Sequence, residues 1–169
     1  MAIHPSGSES YVLFELAGAT YALRSDDVLQ LEMAGTPTPV PNAPAYVDGV
    51  VSVRGQVFPA VSLRARFGFP RVAHDLRSRL VVVNGQGRTV GLLVDSAREF
   101  ASIAPELVKP LPEGIAGTTG RYLSGIAQQG DRLMLIVDVT ELLAVDVEPT
   151  DASALDSAAP IASGDAAST

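Results

Sequence analysis

An all-β fold of small barrels is what this sequence predicts, and three observations predict it. Short apolar stretches of β type recur along the chain, and tight glycine turns join them in pairs. Their regular spacing suits small barrels rather than an α/β sheet. The order of elements also repeats once. That implies two similar modules, each too small to hold a large core alone and so packed together.

Tyr11 to Leu16 is strand-like, Gly18 and Ala19 turn the chain, and Thr20 to Leu23 runs back. Ser25-Asp26-Asp27 can cap a short helical turn over Val28 to Gln30. Pro37, Pro39, Pro41 and Pro44 force an extended connection. Gly49 to Leu63 then forms a hairpin whose tip is Arg54-Gly55-Gln56, and a short amphipathic helical turn follows at once. Pro70 to Arg77 is a polar loop. Leu80 to Val83 and Val90 to Val94 make a second hairpin around Asn84-Gly85-Gln86-Gly87. Pro105, Pro110 and Pro112 interrupt the chain again. Tyr122 to Ala127 and Leu133 to Val137 form a third hairpin, and Val139 to Leu143 is a closing helical turn.

Two stretches carry the repeat. Thr20 to Leu23 with Asp26 and Val28 matches Thr89 to Leu92 with Asp95 and Ala97. Gly49-Val50, Gly55 and Val57 to Leu63 match Gly125-Ile126, Gly130 and Leu133 to Val139. This alignment needs a one-residue gap, which sets Arg54 against Gln129. Each copy ends in a candidate N-cap, Ser62 or Asp138, whose side-chain oxygen can accept a free helical N–H. An apolar pair follows each cap, Leu63 with Phe67 and Val139 with Leu143.

The 169 residues carry a net charge of −7, which opposes binding to nucleic acid or to an anionic membrane surface. No apolar run approaches the roughly 20 residues of a membrane helix. Residues 1–10 hold no Lys or Arg and no apolar run, so no signal peptide is read and a cytoplasmic location is expected. Val147 to Thr169 hold seven Ala, four Ser, four acidic residues and no basic one. Such a segment buries too little apolar surface to offset its ordering entropy and is expected to be a disordered acidic tail. Residues 1–9 are expected to be flexible, residues 10–146 to form the folded domain, and the two modules to divide near 70–78.

Catalytic chemistry has little to draw on. There is no cysteine, and His4 and His74 share no ligand spacing, so no metal site and no cofactor are expected. Gly85 to Gly91 has a glycine pattern, but its spacing is off by one residue and a strand follows it. It lacks the helix N-terminus that would hold a phosphate. Asp26, Asp95, Asp131 and Asp138 are explained as turn and cap residues. Ser124 has no histidine partner.

A collinear set of residues resembles a known family. Tyr21-Ala22-Leu23, Gln30-Leu31-Glu32, Val40-Pro41, Pro44 to Val50, Val53-Arg54-Gly55 and Pro59 to Arg64 are similar to the CheW adaptors of bacterial chemotaxis. Val90 to Asp95, Pro110, Tyr122 to Gly125 and Gly130 to Leu133 agree with it, so the likeness spans about residues 10 to 145. The resemblance implies two intertwined five-stranded β-barrels. It also implies a non-enzymatic adaptor coupling the cytoplasmic tips of methyl-accepting chemoreceptors to the regulatory domain of a CheA-type histidine kinase. No nucleic acid partner and no direct membrane insertion are implied, and the protein would be recruited to membrane-associated receptor arrays. A CheW-like adaptor of a non-swimming pathway, for pilus motility or developmental signalling, is the alternative. By the same resemblance, a receptor-binding groove between the barrels would involve Glu32, Gly49, Val50, Arg54 and Gly55. Phe100 would stand on a second-barrel strand lining that groove.

Overall fold

The computed structural model describes residues 7–113 and 120–144. The expected acidic tail at 147–169 lies outside the described residues, as do residues 1–6 of the expected flexible N-terminus.

Strands β1 (Glu9–Leu16) and β2 (Ala19–Arg24) form a hairpin, and β3 (Val28–Met33) follows a single 3-10 turn. The hairpin β4 (Val47–Val53) and β5 (Gln56–Ser62) leads into α1 (Leu63–Arg66). The series then starts again with β6 (Arg79–Gly85), β7 (Arg88–Val94) and β8 (Ser96–Ile103). After the short β9 (Val108–Lys109), β10 (Leu123–Gln129) and β11 (Arg132–Val137) lead into α2 (Val139–Ala144). The helical turn expected over Val28 to Gln30 is instead strand. Leu29 is the extra residue of a bulge between Val28 and Gln30, and it interrupts the alternation that marks a strand.

The strands make two sheets, ordered β8-β1-β2-β11-β10-β9 and β3-β6-β7-β5-β4. Each sheet joins the first two strands of one series to the later strands of the other: β1 and β2 lie with β8 to β11, and β6 and β7 with β3 to β5. A division near 70–78 therefore does not separate the sheets: β6 and β7 follow that loop yet stay with β3, β4 and β5. The exchange is reciprocal to the residue. Leu13 and Phe14 pair with Glu99 and Ala97 around a bulge at Arg98, the counterpart of the bulge at Leu29. Bulges at Asp48 and Ser124 correspond in the same way. Parallel β5 and β7 meet at Ala60 and Gly91, as β11 and β2 do at Ile136 and Ala22.

Register corrects one detail of the repeat. Val53 pairs with Gln56 and Gln129 with Arg132, so each turn has two residues and no gap is needed. Arg54 thus corresponds to Gly130, not Gln129. The two backbones agree, with φ +52° at Arg54 and +61° at Gly130.

Alternating side chains sort the core. Tyr11, Leu13, Ile103, Met134 and Ile136 fill the first sheet's interior, and Phe58, Ala60, Leu80, Val82 and Leu93 the second's. Opposite faces of the same strands meet in a larger shared core. Phe14, Tyr21, Phe67 and Tyr122 run through it with ring centroids 5.4 to 5.8 Å apart. Both caps form as expected: Ser62 Oγ accepts from Ala65 N at 3.2 Å and Asp138 Oδ1 from Glu141 N at 3.1 Å.

Asp95 ties the sheets beside this core. It accepts from Arg64 Nε and Nη2 at 2.8 and 2.7 Å and from Ala17 N at 2.9 Å. Burial pushes its carboxyl up, but the Arg64 and Ala17 donors together hold it below the ordinary 3.8. A depressed folded-state pKa stabilises the fold above the ordinary carboxylate range, and that contribution is lost as pH falls through the depressed value. Asp95→Asn is therefore expected to cost about 1–2 kcal/mol at pH 7 in urea unfolding. Its deficit should shrink as pH falls from 7 through that depressed value, and a deficit unchanged by acid would remove the role assigned to the ion pair.

Candidate functional site

Leaving aside the two-residue β9, each sheet has one seam between its end strands, β8 and β10 in the first and β3 and β4 in the second, and the seams differ. Between β8 and β10, Gln129 Nε2 donates to the Ser102 carbonyl at 2.9 Å. At the same seam Arg132 grips Glu99 through two bonds of 2.8 and 2.9 Å. The corresponding positions between β3 and β4 are Met33 with Val53 and Gln30 with Gln56. No side-chain hydrogen bond joins either pair. A shallow cleft of about 600 Å³ lies along this unstitched seam.

Leu31, Glu32 and Met33 of β3 line the cleft on one side, and Ser52, Val53 and Arg54 on the other. Arg79 and Ala97 complete it. Two arginines and one glutamate line the cleft, a local positive excess in a chain of net charge −7, with Arg79 Nη1 also donating to the Leu76 and Ser78 carbonyls. Met33 is 58% exposed, which adds an apolar rim. Arg54 and Glu32 make no hydrogen bond or ion pair among the described residues, so they share the cleft without neutralising each other.

Arg54 is also held awkwardly. It and Gly55, with φ +52° and +82°, form a two-residue turn with both central residues left-handed. That turn matches the strand twist and favours Asn-Gly or Gly-Gly. An arginine there costs roughly 1 kcal/mol relative to glycine.

The sequence-predicted set divides in three. Glu32 and Arg54 meet in the cleft. Gly49 and Gly55 serve the backbone: Gly49 lies against the Thr38 carbonyl, and Gly55 supplies the turn's second left-handed residue. Val50 lines a different, apolar cleft on the other side of the β4–β5 hairpin. Phe100 is 66% exposed on β8 but does not line the Glu32–Arg54 cleft; Ala97 is the β8 residue that does. Arg79 escaped the sequence reading. Its signal is the pairing of Met33 with Arg79, visible only once β3 is known to pair with β6. Among the described residues no cluster of three or more His, Asp or Glu could hold a metal ion.

The family model described as CheW-like domain matches residues 10–147. The chemotaxis protein CheW of Helicobacter pylori is 32% identical over 136 residues, covering 80% of this chain and 82% of that protein. The CheW of Klebsiella aerogenes is 28% identical over 135 residues, covering 80% and 81%. Protein FrzA of Myxococcus xanthus is 25% identical over 120 residues, covering 71% and 74%. Among solved structures, the scaffolding protein TtCheW from Thermoanaerobacter tengcongensis superposes with a TM-score of 0.76 at 27% identity. It covers 83% of this chain and 96% of its own.

Proposed function

This chain belongs to the CheW-like domain family, and on that premise we propose that it is the scaffold coupling chemoreceptors to a CheA-type histidine kinase in chemotaxis. The Glu32–Arg54 cleft is the receptor-facing site in this reading, and the kinase's regulatory domain docks elsewhere on the two sheets. The observation that carries the assignment is Arg54. It occupies a turn position that disfavours it, and it forms no ion pair or hydrogen bond among the described residues. A residue that costs stability and returns none to the fold is explained by an external contact. A receptor helix with an acidic group near an apolar stripe fits two arginines beside Leu31 and Met33. The likeness to FrzA is weaker than that to the chemotaxis proteins, so the chemotaxis reading stands first.

The test is Arg54→Gly, measured with a receptor-tip fragment and with the kinase regulatory domain. Receptor affinity should fall about tenfold, a loss of one charge-assisted contact. Kinase affinity should change less than about threefold, and thermal stability should hold or rise by 1–3 °C. Equal loss for both partners, or a lower melting temperature, would give Arg54 back to the scaffold. No binding of the unaltered chain to either partner at tens of micromolar would end the coupling reading itself.

A further inference from the structure

Just before β6 the chain closes into a braced turn. Asp75 Oδ1 accepts from Arg77 N at 2.8 Å and from Ser78 N at 3.2 Å. Ser78 Oγ accepts from Asp75 N at 2.8 Å, and Ser78 N also donates to the Asp75 carbonyl at 3.1 Å. Arg79 Nη1 completes the turn by donating to the Leu76 and Ser78 carbonyls at 2.8 and 2.9 Å. These bonds fix the backbone of residues 75–78. Leu76 sits within the turn, and it is 84% exposed, the highest value for a large apolar side chain among the described residues.

We infer that Leu76 is a second anchor of the receptor-facing site, covered by an apolar notch of the same receptor tip whose acidic group meets Arg54 and Arg79. The inference rests on the reading of the Glu32–Arg54 cleft as receptor-facing. A single exposed leucine needs no explanation by itself. Three features set this one apart. The first is rigidity: a side chain on a fixed backbone has little further freedom to lose when a partner covers it. The second is continuity with the cleft. Arg79 lines the cleft and also holds the Leu76 carbonyl. It pairs with Met33 in the β3–β6 ladder, and Ala34 N donates to the Ser78 carbonyl at 3.3 Å. The turn is thus bonded to the end of β3 that carries the apolar rim of the cleft. The third is charge. Residues 54–98 hold eight Arg against two Asp in a chain of net charge −7, and the Asp75 carboxylate is engaged by the turn's own N–H groups. An acidic partner helix with an apolar stripe fits Arg54, Arg79 and Leu76 together.

The test uses the full chain, titrated with a receptor-tip fragment and with the kinase regulatory domain. Leu76→Ser is expected to lower receptor affinity about tenfold, as for one leucine side chain left uncovered. Kinase affinity should stay within about twofold, and the melting temperature should not move, because the side chain is exposed in the free chain. A second pair of variants probes the turn while leaving Leu76 in place. Asp75→Ala and Asp75→Asn carry the same charge, but only Asn keeps an acceptor for Arg77 N and Ser78 N. Asp75→Ala should weaken receptor binding about threefold, and Asp75→Asn should restore it. Unchanged receptor affinity in Leu76→Ser, beside the expected loss in Arg54→Gly, would overturn the anchor and leave the cleft standing. Unchanged affinity in both variants would remove the cleft reading and the anchor with it. An equal or larger loss of kinase affinity in Leu76→Ser would overturn the proposal by giving the turn to the kinase. A concentration-dependent dimer in sedimentation that dissociates on Leu76→Ser would overturn it by giving the leucine to a second copy.

Discussion

Replacing Gly49 by alanine is expected to be among the most damaging single substitutions, at about 4 kcal/mol in urea unfolding. An added Cβ would stand 2.0 Å from the Thr38 carbonyl oxygen and 2.5 Å from its carbon, with φ at +142°. Both contacts are backbone, so no rotamer change relieves them. The Thr38–Val50 bridge, with bonds of 2.8 and 2.9 Å, must open to admit the methyl. Two neighbouring positions calibrate the effect. Gly125 is the counterpart of Gly49, and its Cβ would lie 2.8 Å from the Lys109 carbonyl, so Gly125→Ala should cost less, about 2 kcal/mol. Gly55 has φ +82° but open space around it, so Gly55→Ala should cost about 1 kcal/mol. A Gly49→Ala variant no worse than Gly55→Ala would show that Thr38 yields freely.

Arg66→Ala is the second large effect, expected at about 3 kcal/mol and roughly a 10 °C fall in melting temperature. The Arg66 guanidinium carbon lies 4.5 Å from the ring centroids of both Tyr46 and Tyr122, and the residue is only 8% exposed. Those tyrosines occupy equivalent places: the Tyr46 carbonyl accepts from Ser62 N and the Tyr122 carbonyl from Asp138 N, each at 2.8 Å. Arg66 therefore joins the two modules at their centre, where the second copy has Leu142. Its Nη2 reaches the Leu142 carbonyl at 3.5 Å. Burial lowers the arginine's pKa from its ordinary value, a sign of the desolvation that the two ring faces offset. Arg66→Met keeps a flexible stem between the rings and removes the buried charge, so it should lose about half as much as the alanine variant. An alanine variant within 1 kcal/mol of the parent would remove Arg66 from the list of stabilising residues.

Local chemistry in the sequence identified the hairpins, both caps and the repeat, because each is written within a few neighbouring residues. Ser62 and Asp138 needed only the apolar pairs that follow them. What escaped depended on distant pairing. Nothing near Arg79 says that it lies beside Met33, and nothing near Val50 says that it faces away from Arg54. The bulge at Leu29 hid a strand because one extra residue breaks the alternation that identifies strands. The resemblance grouped Glu32 with Arg54, but that both line one cleft follows from a seam that lacks the counterparts of Gln129 and Glu99. That absence is invisible until the two copies are aligned in register.

The reciprocal strand exchange has a historical reading. A chain of half this length, with one set of five strands and one helix, could complete neither sheet alone. Two copies trading their first two strands would complete both and form a two-fold symmetric dimer. Joining the copies through Pro70 to Arg77 makes the partner permanent and frees each copy from being its own complement. Arg54 where the other copy has Gly130, and Arg66 where it has Leu142, are differences that a symmetric dimer would have to carry twice. Within one chain the two seams are free to differ, stitched by Gln129 and Arg132 on one side and unstitched on the other.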